Sequence, residues 1–233
     1  MNTTPAMIGP RRRRPLFPMG VLLLAGAVGL SAWLALVTAP TEATMGDVQR
    51  IFYFHVPMGL GCFLAFFVSF VGCVGYLVTR HLRWDHLAVS GAEVGLVYCT
   101  AVLITGPIWA RPVWNTWWTW EPRLTTTLIL WFLYAAYFIL RQNLEERHQQ
   151  ARLSAAMGIF AFLDVPIVYG SIHWFDRGLH PVIFARGGLA PEMMTVFKVC
   201  LATFLLLQGL LLWFRLRLAV VEERVAVLSE GNP

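Results

Sequence analysis

The chain has 233 residues, of which 58% are hydrophobic and 13% are charged, and its formal net charge is +5. This composition is far more apolar than that of a soluble globular domain, so it excludes that class and indicates an integral membrane protein. Most of the charge comes from arginines that flank apolar segments. It therefore reports membrane orientation and does not indicate a nucleic-acid partner.

Six apolar segments follow one another along the chain, and each is long enough to cross the roughly 30 Å hydrocarbon core of a bilayer as a helix. Backbone polar groups in lipid must be paired within the protein, and no segment shows the period-two alternation of barrel strands. We therefore predict an all-α integral membrane protein, a bundle of six transmembrane helices. The predicted spans are Phe17–Thr38, Val56–Thr79, Leu87–Gly106, Leu124–Leu140, Leu153–Ser171 and Met193–Phe214.

Basic residues predict the orientation, because Lys and Arg accumulate in short cytoplasmic segments. The run Arg11–Arg14 precedes the first span, and an even number of spans returns the C-terminus to the same side, so both termini are predicted to be cytoplasmic. A cleaved signal peptide is the alternative for the first span, but its apolar part exceeds the usual 7–15 residues. The predicted organisation is a basic N-terminus (1–16), a membrane domain (17–214) with a periplasmic tryptophan-rich loop (107–123), and a cytoplasmic tail (215–233).

Tryptophan is concentrated between the third and fourth spans. The segment WARPVWNTWWTWEPRLT (Trp109–Thr125) holds five of the ten tryptophans within twelve residues. Tryptophan is common at membrane interfaces, but an interfacial belt distributes its aromatic residues over both faces of the bilayer. We interpret the segment as a platform for a flat apolar ligand on the outer face, with an interfacial belt as the alternative.

Two other outer segments contribute histidines. RIFYFHVP brings His55 to the top of the second span, and the segment after the fifth span supplies His173 and His180. Neutral imidazole is a common iron ligand, and guanidinium groups bind carboxylates. The outer arginines considered as carboxylate contacts are Arg50, Arg111, Arg123 and Arg177. A macrocycle with a central metal and acidic side groups would use all of these residues, and haem fits that description; polar interfacial histidines are the alternative.

The same segments resemble a known family. GPIWARPVWNTWWTWEPRLT is similar to the tryptophan-rich signature, often called the WWD domain, of haem-handling membrane proteins in cytochrome c maturation. FYFHVP around His55, the signature after the third span, and VPIVYGSIHWFDRGLHP after the fifth resemble the CcmC family in their order. The resemblance covers residues 17–214. This chain has Glu121 where the signature usually has aspartate, and Asn115 where the family usually has glycine.

The resemblance implies a set of site residues. His55 and His180 correspond to the two axial haem ligands of the family, and His180 is preferred over His173 because the family's histidine follows a leucine. The platform for the haem ring carries over to Trp114, Trp117, Trp118 and Trp120. Glu121 would support the loop, and Arg123 is a candidate contact for a haem propionate. Weaker candidates are Trp109, Trp174, His173, Arg50, Arg111 and Arg177.

The resemblance also implies a function. Members of the family hold haem b at the periplasmic face of the bacterial inner membrane and pass it to the haem chaperone CcmE. Their partners are the small membrane protein CcmD and the ABC transporter CcmA/CcmB. Ligation by two histidines leaves no open position on the iron, which suits a protein that carries haem better than an enzyme.

Two other classes of function are consistent with the residues alone. A b-type electron-transfer cytochrome usually binds haem between histidines in the middle of spans, and no histidine has that position here. A haem transporter with alternating access would need an inner site, for which His81, His86 and His148 are available. These three histidines lie in charged segments that we expect to be solvated.

Two acidic residues fall inside predicted spans, Glu93 in the third and Asp164 in the fifth. A carboxyl group in a membrane is costly and usually faces the interior of the bundle. The first interpretation is a protonated or hydrogen-bonded carboxyl that links helices. The second is a polar route for haem or protons.

Overall fold

The computed structural model describes residues 16–174 and 189–230. A π-helical turn, Leu34–Thr38, follows the first helix, and a 3-10 turn, Asp47–Ile51, precedes the second. The α-helices of this part of the chain are α1 (Leu16–Trp33), α2 (Phe52–Thr79), α3 (Leu82–Trp114), α4 (Pro122–Gln142), α5 (Arg147–Phe162), α6 (Asp164–Trp174) and α7 (Pro191–Glu230).

Six helical segments of the described chain are long and apolar enough to cross a membrane, which confirms the predicted number of spans. α5 and α6 meet at Leu163 and together form the fifth of them. Residues 16–174 and 189–230 contain no β-strand, so the all-α class is also confirmed. The six segments are Phe17–Thr38, Asp47–Thr79, Leu82–Trp114, Pro122–Gln142, Arg147–Ile172 and Pro191–Ala226.

Two helices extend well past the predicted boundaries. α3 continues through Pro107 and Pro112 to Trp114, so the first half of the predicted loop 107–123 is helical. Proline is tolerated in such helices because neighbouring helices and Ser or Thr side chains satisfy the freed backbone groups. α7 continues to Glu230, so residues 215–230 of the predicted tail extend the last span.

Glycines bring the backbones of α2 and α3 into direct contact. A Cβ atom at Gly72 would lie 2.4 Å from the backbone nitrogen of Ala88, a distance that no side chain tolerates. Small residues allow this close approach between membrane helices. Towards the other end of the pair, Gly59 faces Val102. The two helices are thus antiparallel with a constant register over most of their length.

The bundle has two chemically different ends. The tryptophan end comprises residues 39–51, which connect α1 to α2, and residues 115–121, which connect α3 to α4. The arginine end comprises residues 80–81, residues 143–146 and the part of α7 that begins at Arg215.

Ion pairs join the helices towards the arginine end. Arg141 on α4 donates to both carboxylate oxygens of Asp85 on α3, at 2.7 and 2.8 Å. Arg215 on α7 donates to both oxygens of Glu93. Glu93 therefore links α3 to α7, in agreement with the first interpretation of this acid. Asp164 is buried, and its Oδ2 makes no hydrogen bond within the described chain, so both interpretations of that acid remain predictions.

Candidate functional site

His55 lies in the first turn of α2 and faces the far end of α3. The register that sets Gly59 against Val102 brings its imidazole to Thr105 and Gly106. Nδ1 of His55 lies 2.8 Å from Oγ1 of Thr105. A Cβ atom at Gly106 would lie 3.5 Å from Cε1 of the ring, in ordinary van der Waals contact. The ring therefore lies against α3, within hydrogen-bond distance of Thr105 and beside Gly106.

Arg50 stabilises the connection that leads into α2. Its Nη1 donates to the carbonyl oxygens of Ala35 and Ala39, each at 3.0 Å, and its Nε donates to Asp47 at 3.0 Å. A cation near the last carbonyls of a helix also interacts favourably with the helix dipole. Arg50 thus has a structural role at the end of the first span, and a contact with a haem carboxylate stays a prediction.

α3 carries the first tryptophans of the signature beyond His55. It runs without a break from Thr105 to Trp114, about 13 Å at 1.5 Å per residue. The rings of Trp109 and Trp114 meet edge to face with centroids 5.0 Å apart. The helix that holds the histidine ring is therefore the same rigid element that begins the tryptophan segment.

Asn115 ends α3 in the left-handed conformation, with φ 56° and ψ 24°. Glycine is the commonest residue at such a helix end, and asparagine is the usual substitute. Arg111 donates to the carbonyl oxygen of Asn115 at 2.9 Å and also to its side-chain oxygen. The asparagine that replaces the family's usual glycine is therefore compatible with the turn that the chain makes here.

The four tryptophans predicted as a platform differ in exposure. Trp117 and Trp120 are 60% and 75% exposed, whereas Trp114 and Trp118 are half-buried. Trp118 and Trp120 meet edge to face with centroids 5.8 Å apart. The loop thus exposes the rings of Trp117 and Trp120, and the half-buried Trp118 packs against Trp120.

Glu121 and Arg123 begin α4. Glu121 is buried at the N-cap position, where the helix dipole favours a negative charge, and Pro122 occupies the first turn. Arg123 lies within electrostatic range of Glu121 and of Tyr169 on α6. The start of α4 and the last turns of α6 therefore meet near the tryptophan loop.

The second predicted ligand cannot be located in the same way. His180 and Arg177 lie outside the described residues, and so does the side chain of His173. Trp174 ends α6 with an exposed ring that folds back over Gly170, where a Cβ atom would lie 2.5 Å from Cζ2 of the ring. The pairing of His55 with His180 stays a prediction.

The histidines considered for an inner site have separate surroundings. His86 lies 3.5 Å from a carboxylate oxygen of Glu223, while Nδ1 of His148 lies 3.1 Å from the hydroxyl of Tyr76. His81 is an exposed residue at the start of α3. Across residues 16–174 and 189–230, no group of three His, Cys, Asp or Glu residues is placed to hold a metal ion. The alternative of an inner haem site at the arginine end stays a prediction.

The sequence pattern of the CcmC family, described as heme exporter protein C, matches residues 10–230. The chain belongs to the heme exporter protein C family. Heme exporter protein C of Haemophilus influenzae is 30% identical over 213 residues, which are 90% of this chain and 85% of the relative. The protein of the same name from Escherichia coli K12 is 30% identical over 200 residues, 82% of this chain and 79% of the relative.

A ccmC-like mitochondrial protein of Arabidopsis thaliana is 27% identical over 202 residues, 86% of this chain and 74% of the relative. The resemblance found in the sequence is thus confirmed at the level of the heme exporter protein C family.

Sequence reasoning did not identify three neighbours of the predicted site in this member of the heme exporter protein C family. Thr105 lies within hydrogen-bond distance of His55, Gly106 lies beside the imidazole of His55, and Tyr169 lies near Arg123. The regular spacing of small residues along α2 and α3 was a usable signal for the first two, because it predicts close antiparallel packing. No comparable signal pointed to Tyr169.

Proposed function

We propose that this protein binds haem b at the tryptophan end of the bundle and delivers it to the haem chaperone CcmE during cytochrome c maturation. Membership of the heme exporter protein C family supports a role in haem handling. The observation that carries the proposal is the position of His55. Its ring is held by Thr105 on the helix that continues directly into the tryptophan signature.

The iron would be held by His55 from α2 and by His180 from the segment after α6. When haem is bound in this way, its iron has two imidazole ligands and no open position. Such haem is suited to being carried and presented, and transfer to a chaperone requires one histidine to leave. A hydrogen bond to Thr105 orients the ring of His55 against α3.

The haem ring would contact the exposed rings of Trp117 and Trp120, and the half-buried Trp114 and Trp118 would complete the platform. Aromatic faces suit a flat apolar macrocycle. Arg123 is the preferred partner for a propionate, because Arg50 and Arg111 make hydrogen bonds that hold the chain itself. Glu121 would orient Arg123 through their electrostatic attraction.

The tryptophan end would face the periplasm, with the protein in the bacterial inner membrane and both termini in the cytoplasm. The excess of arginine at the opposite end supports this orientation. CcmD and the transporter CcmA/CcmB would be its membrane partners. The bilayer covers the exposed apolar surfaces of the six spans.

The ligand assignment is tested by absorption spectra of the full-length protein purified with haem. We expect the low-spin haem spectrum to be lost or strongly weakened in His55→Ala and in His180→Ala. His81→Ala is a matched control, because it removes an exposed histidine at the arginine end. An unchanged low-spin spectrum in both of the first two variants would show that these histidines are not the ligands.

A further inference from the structure

The hydrogen bonds of Thr105 determine where the proton of His55 resides. Oγ1 of Thr105 lies 2.7 Å from the carbonyl oxygen of Ala101 and 2.8 Å from Nδ1 of His55, while the carbonyl oxygen of Val102 is more distant at 3.4 Å. A threonine hydroxyl has one proton to donate, and a carbonyl oxygen can only accept. The hydroxyl proton is therefore directed to Ala101, as is common for threonine within a helix.

In the hydrogen bond between Thr105 and His55, the imidazole must then be the donor. If the hydroxyl proton lies on the Ala101 side, Oγ1 offers only a lone pair to Nδ1, so Nδ1 of the neutral ring must carry the proton. A neutral imidazole has one protonated nitrogen and one with a free lone pair for a metal. The lone pair is therefore on Nε2.

We propose that Thr105 is a positioning residue that fixes His55 as its Nδ1–H tautomer and makes Nε2 the nitrogen that binds the haem iron. This inference rests on the proposed function, because it assumes that His55 is an iron ligand. Gly106 lies beside Cε1 of the same ring, so the imidazole is adjacent to the backbone of α3. Thr105 lies one helical turn before Trp109, so the helix that orients the His55 ring also carries the start of the tryptophan segment.

The hydrogen bond to Thr105 has a second consequence, which concerns how strongly His55 binds iron. An acceptor at Nδ1–H raises the basicity of the opposite nitrogen, and loss of such a partner typically weakens metal binding by about 10–100-fold. A more basic imidazole stabilises ferric iron over ferrous iron. Removal of the Thr105 hydroxyl should therefore weaken ferric haem binding and raise the reduction potential of the bound haem.

The tautomer is tested without haem. The full-length protein, labelled with ¹⁵N-histidine and held in nanodiscs at pH 8, gives the protonation of each ring nitrogen from its ¹⁵N chemical shift, and the His55→Ala spectrum assigns the signals. We expect a protonated Nδ1 and an unprotonated Nε2 for His55 in the wild type. Thr105→Val, which keeps the side-chain shape and removes the hydroxyl, should give a mixture of tautomers, whereas Thr105→Ser should retain the wild-type pattern.

Thr100→Val provides the matched control. Thr100 lies on the same helix, donates to the carbonyl oxygen of Leu96 and accepts from Nε1 of Trp131. The Thr100→Val variant therefore loses a comparable pair of hydrogen bonds that do not involve His55. The ¹⁵N chemical shifts of His55 in Thr100→Val should equal those in the wild type. An unprotonated Nδ1 of His55 in the wild type would overturn the inference. An unchanged tautomer in Thr105→Val would also overturn it.

Titration with ferric haem separates this inference from the proposed function. We expect Thr105→Val to bind ferric haem about 10–100-fold more weakly than the wild type and to have a raised reduction potential, with Thr105→Ser and Thr100→Val near the wild type. If His55→Ala keeps wild-type affinity and spectrum, the ligand assignment fails whatever Thr105 does. If His55→Ala loses haem while Thr105→Val binds it as the wild type does, only the role of Thr105 fails.

Discussion

The two ends of the bundle use their polar and aromatic side chains in opposite ways. At the arginine end, charges of both signs line a cavity of about 410 Å³ and are paired across α3, α4, α5 and α7. At the tryptophan end, large aromatic rings are exposed, and arginines such as Arg50 and Arg111 donate to backbone carbonyls of their own connections. Mutual pairing holds helices together, whereas exposed rings on a fixed scaffold are suited to contact a ligand.

The two ends should differ most in how much folding free energy is lost when one partner of an ion pair is removed. Side chains of Arg141 and Asp85 are 12% and 9% exposed, and breaking a buried ion pair costs about 3–5 kcal/mol. We expect Asp85→Ala to lower the free energy of unfolding by about this amount in detergent, measured by denaturant titration. Haem bound to the fraction that remains folded should keep its wild-type spectrum, because the pair lies far from His55 along α3.

The matched change at the tryptophan end is Asp47→Ala. Asp47 pairs with Arg50, but its side chain is 78% exposed, so the loss should be at most about 1 kcal/mol. Equal destabilisation by the two variants would contradict the proposed difference between the ends.

The left-handed residue that ends α3 gives the next largest effect. Replacing Asn115 by alanine forces a Cβ-bearing residue without a polar side chain into that conformation, at a cost of about 1–2 kcal/mol. We expect Asn115→Ala to lower the free energy of unfolding by this amount and to weaken haem binding by loosening the tryptophan loop. Asn115→Gly should fold at least as well as the wild type. A destabilised glycine variant with an unaffected alanine variant would refute this account of the turn.

The exposed tryptophans should affect binding more than stability. If Trp120 contacts the haem ring, Trp120→Ala should weaken haem binding by roughly 2–10-fold, corresponding to about 0.5–1.5 kcal/mol for an aromatic contact. The thermal unfolding midpoint should change little, because the ring is 75% exposed. Trp213→Ala is the control at the other end, where the ring packs against Phe17, and it should leave haem affinity unchanged. Equal haem affinities for Trp120→Ala and the wild type would remove Trp120 from the platform.

The smallest expected effect concerns the start of α5 at the arginine end. The carboxylate of Glu146 accepts hydrogen bonds from the backbone N–H groups of His148 and Gln149, which lower its pKa. A lowered folded-state pKa means that the cap stabilises the fold above the ordinary glutamate pKa of about 4.3 and loses this contribution as the pH falls through the lowered value. Thermal midpoints of the wild type and Glu146→Ala should therefore differ at pH 7 and converge in acid. A constant difference down to the lowest pH would contradict the charge-dependent cap.

The sequence was informative wherever a local property decides the structure. Apolar length determined the six spans, because each must satisfy its backbone within lipid. The concentration of tryptophan marked the segment that the structure exposes at one end. The helix α3 continues past the predicted end of the third span, because proline signals a helix end in water but not reliably in a membrane helix.

The roles of individual polar residues required the tertiary structure. Glu93 was recognised as an unusual intramembrane acid, but its partner Arg215 is 122 positions away along the chain. Arg50 was considered as a ligand contact, although its guanidinium donates to carbonyl oxygens of the first span. Composition cannot distinguish a cation that binds a ligand from one that caps a helix.

By itself, the sequence determined the membrane class, the six spans and the family. Only the tertiary structure decided that Oγ1 of Thr105 lies within hydrogen-bond distance of Nδ1 of His55 and that Gly106 lies beside the imidazole ring. The physical reason is that hydropathy acts along each segment independently, whereas a hydrogen bond between α2 and α3 depends on their register. That register is set by backbone contacts at glycines far from the site, such as Gly72.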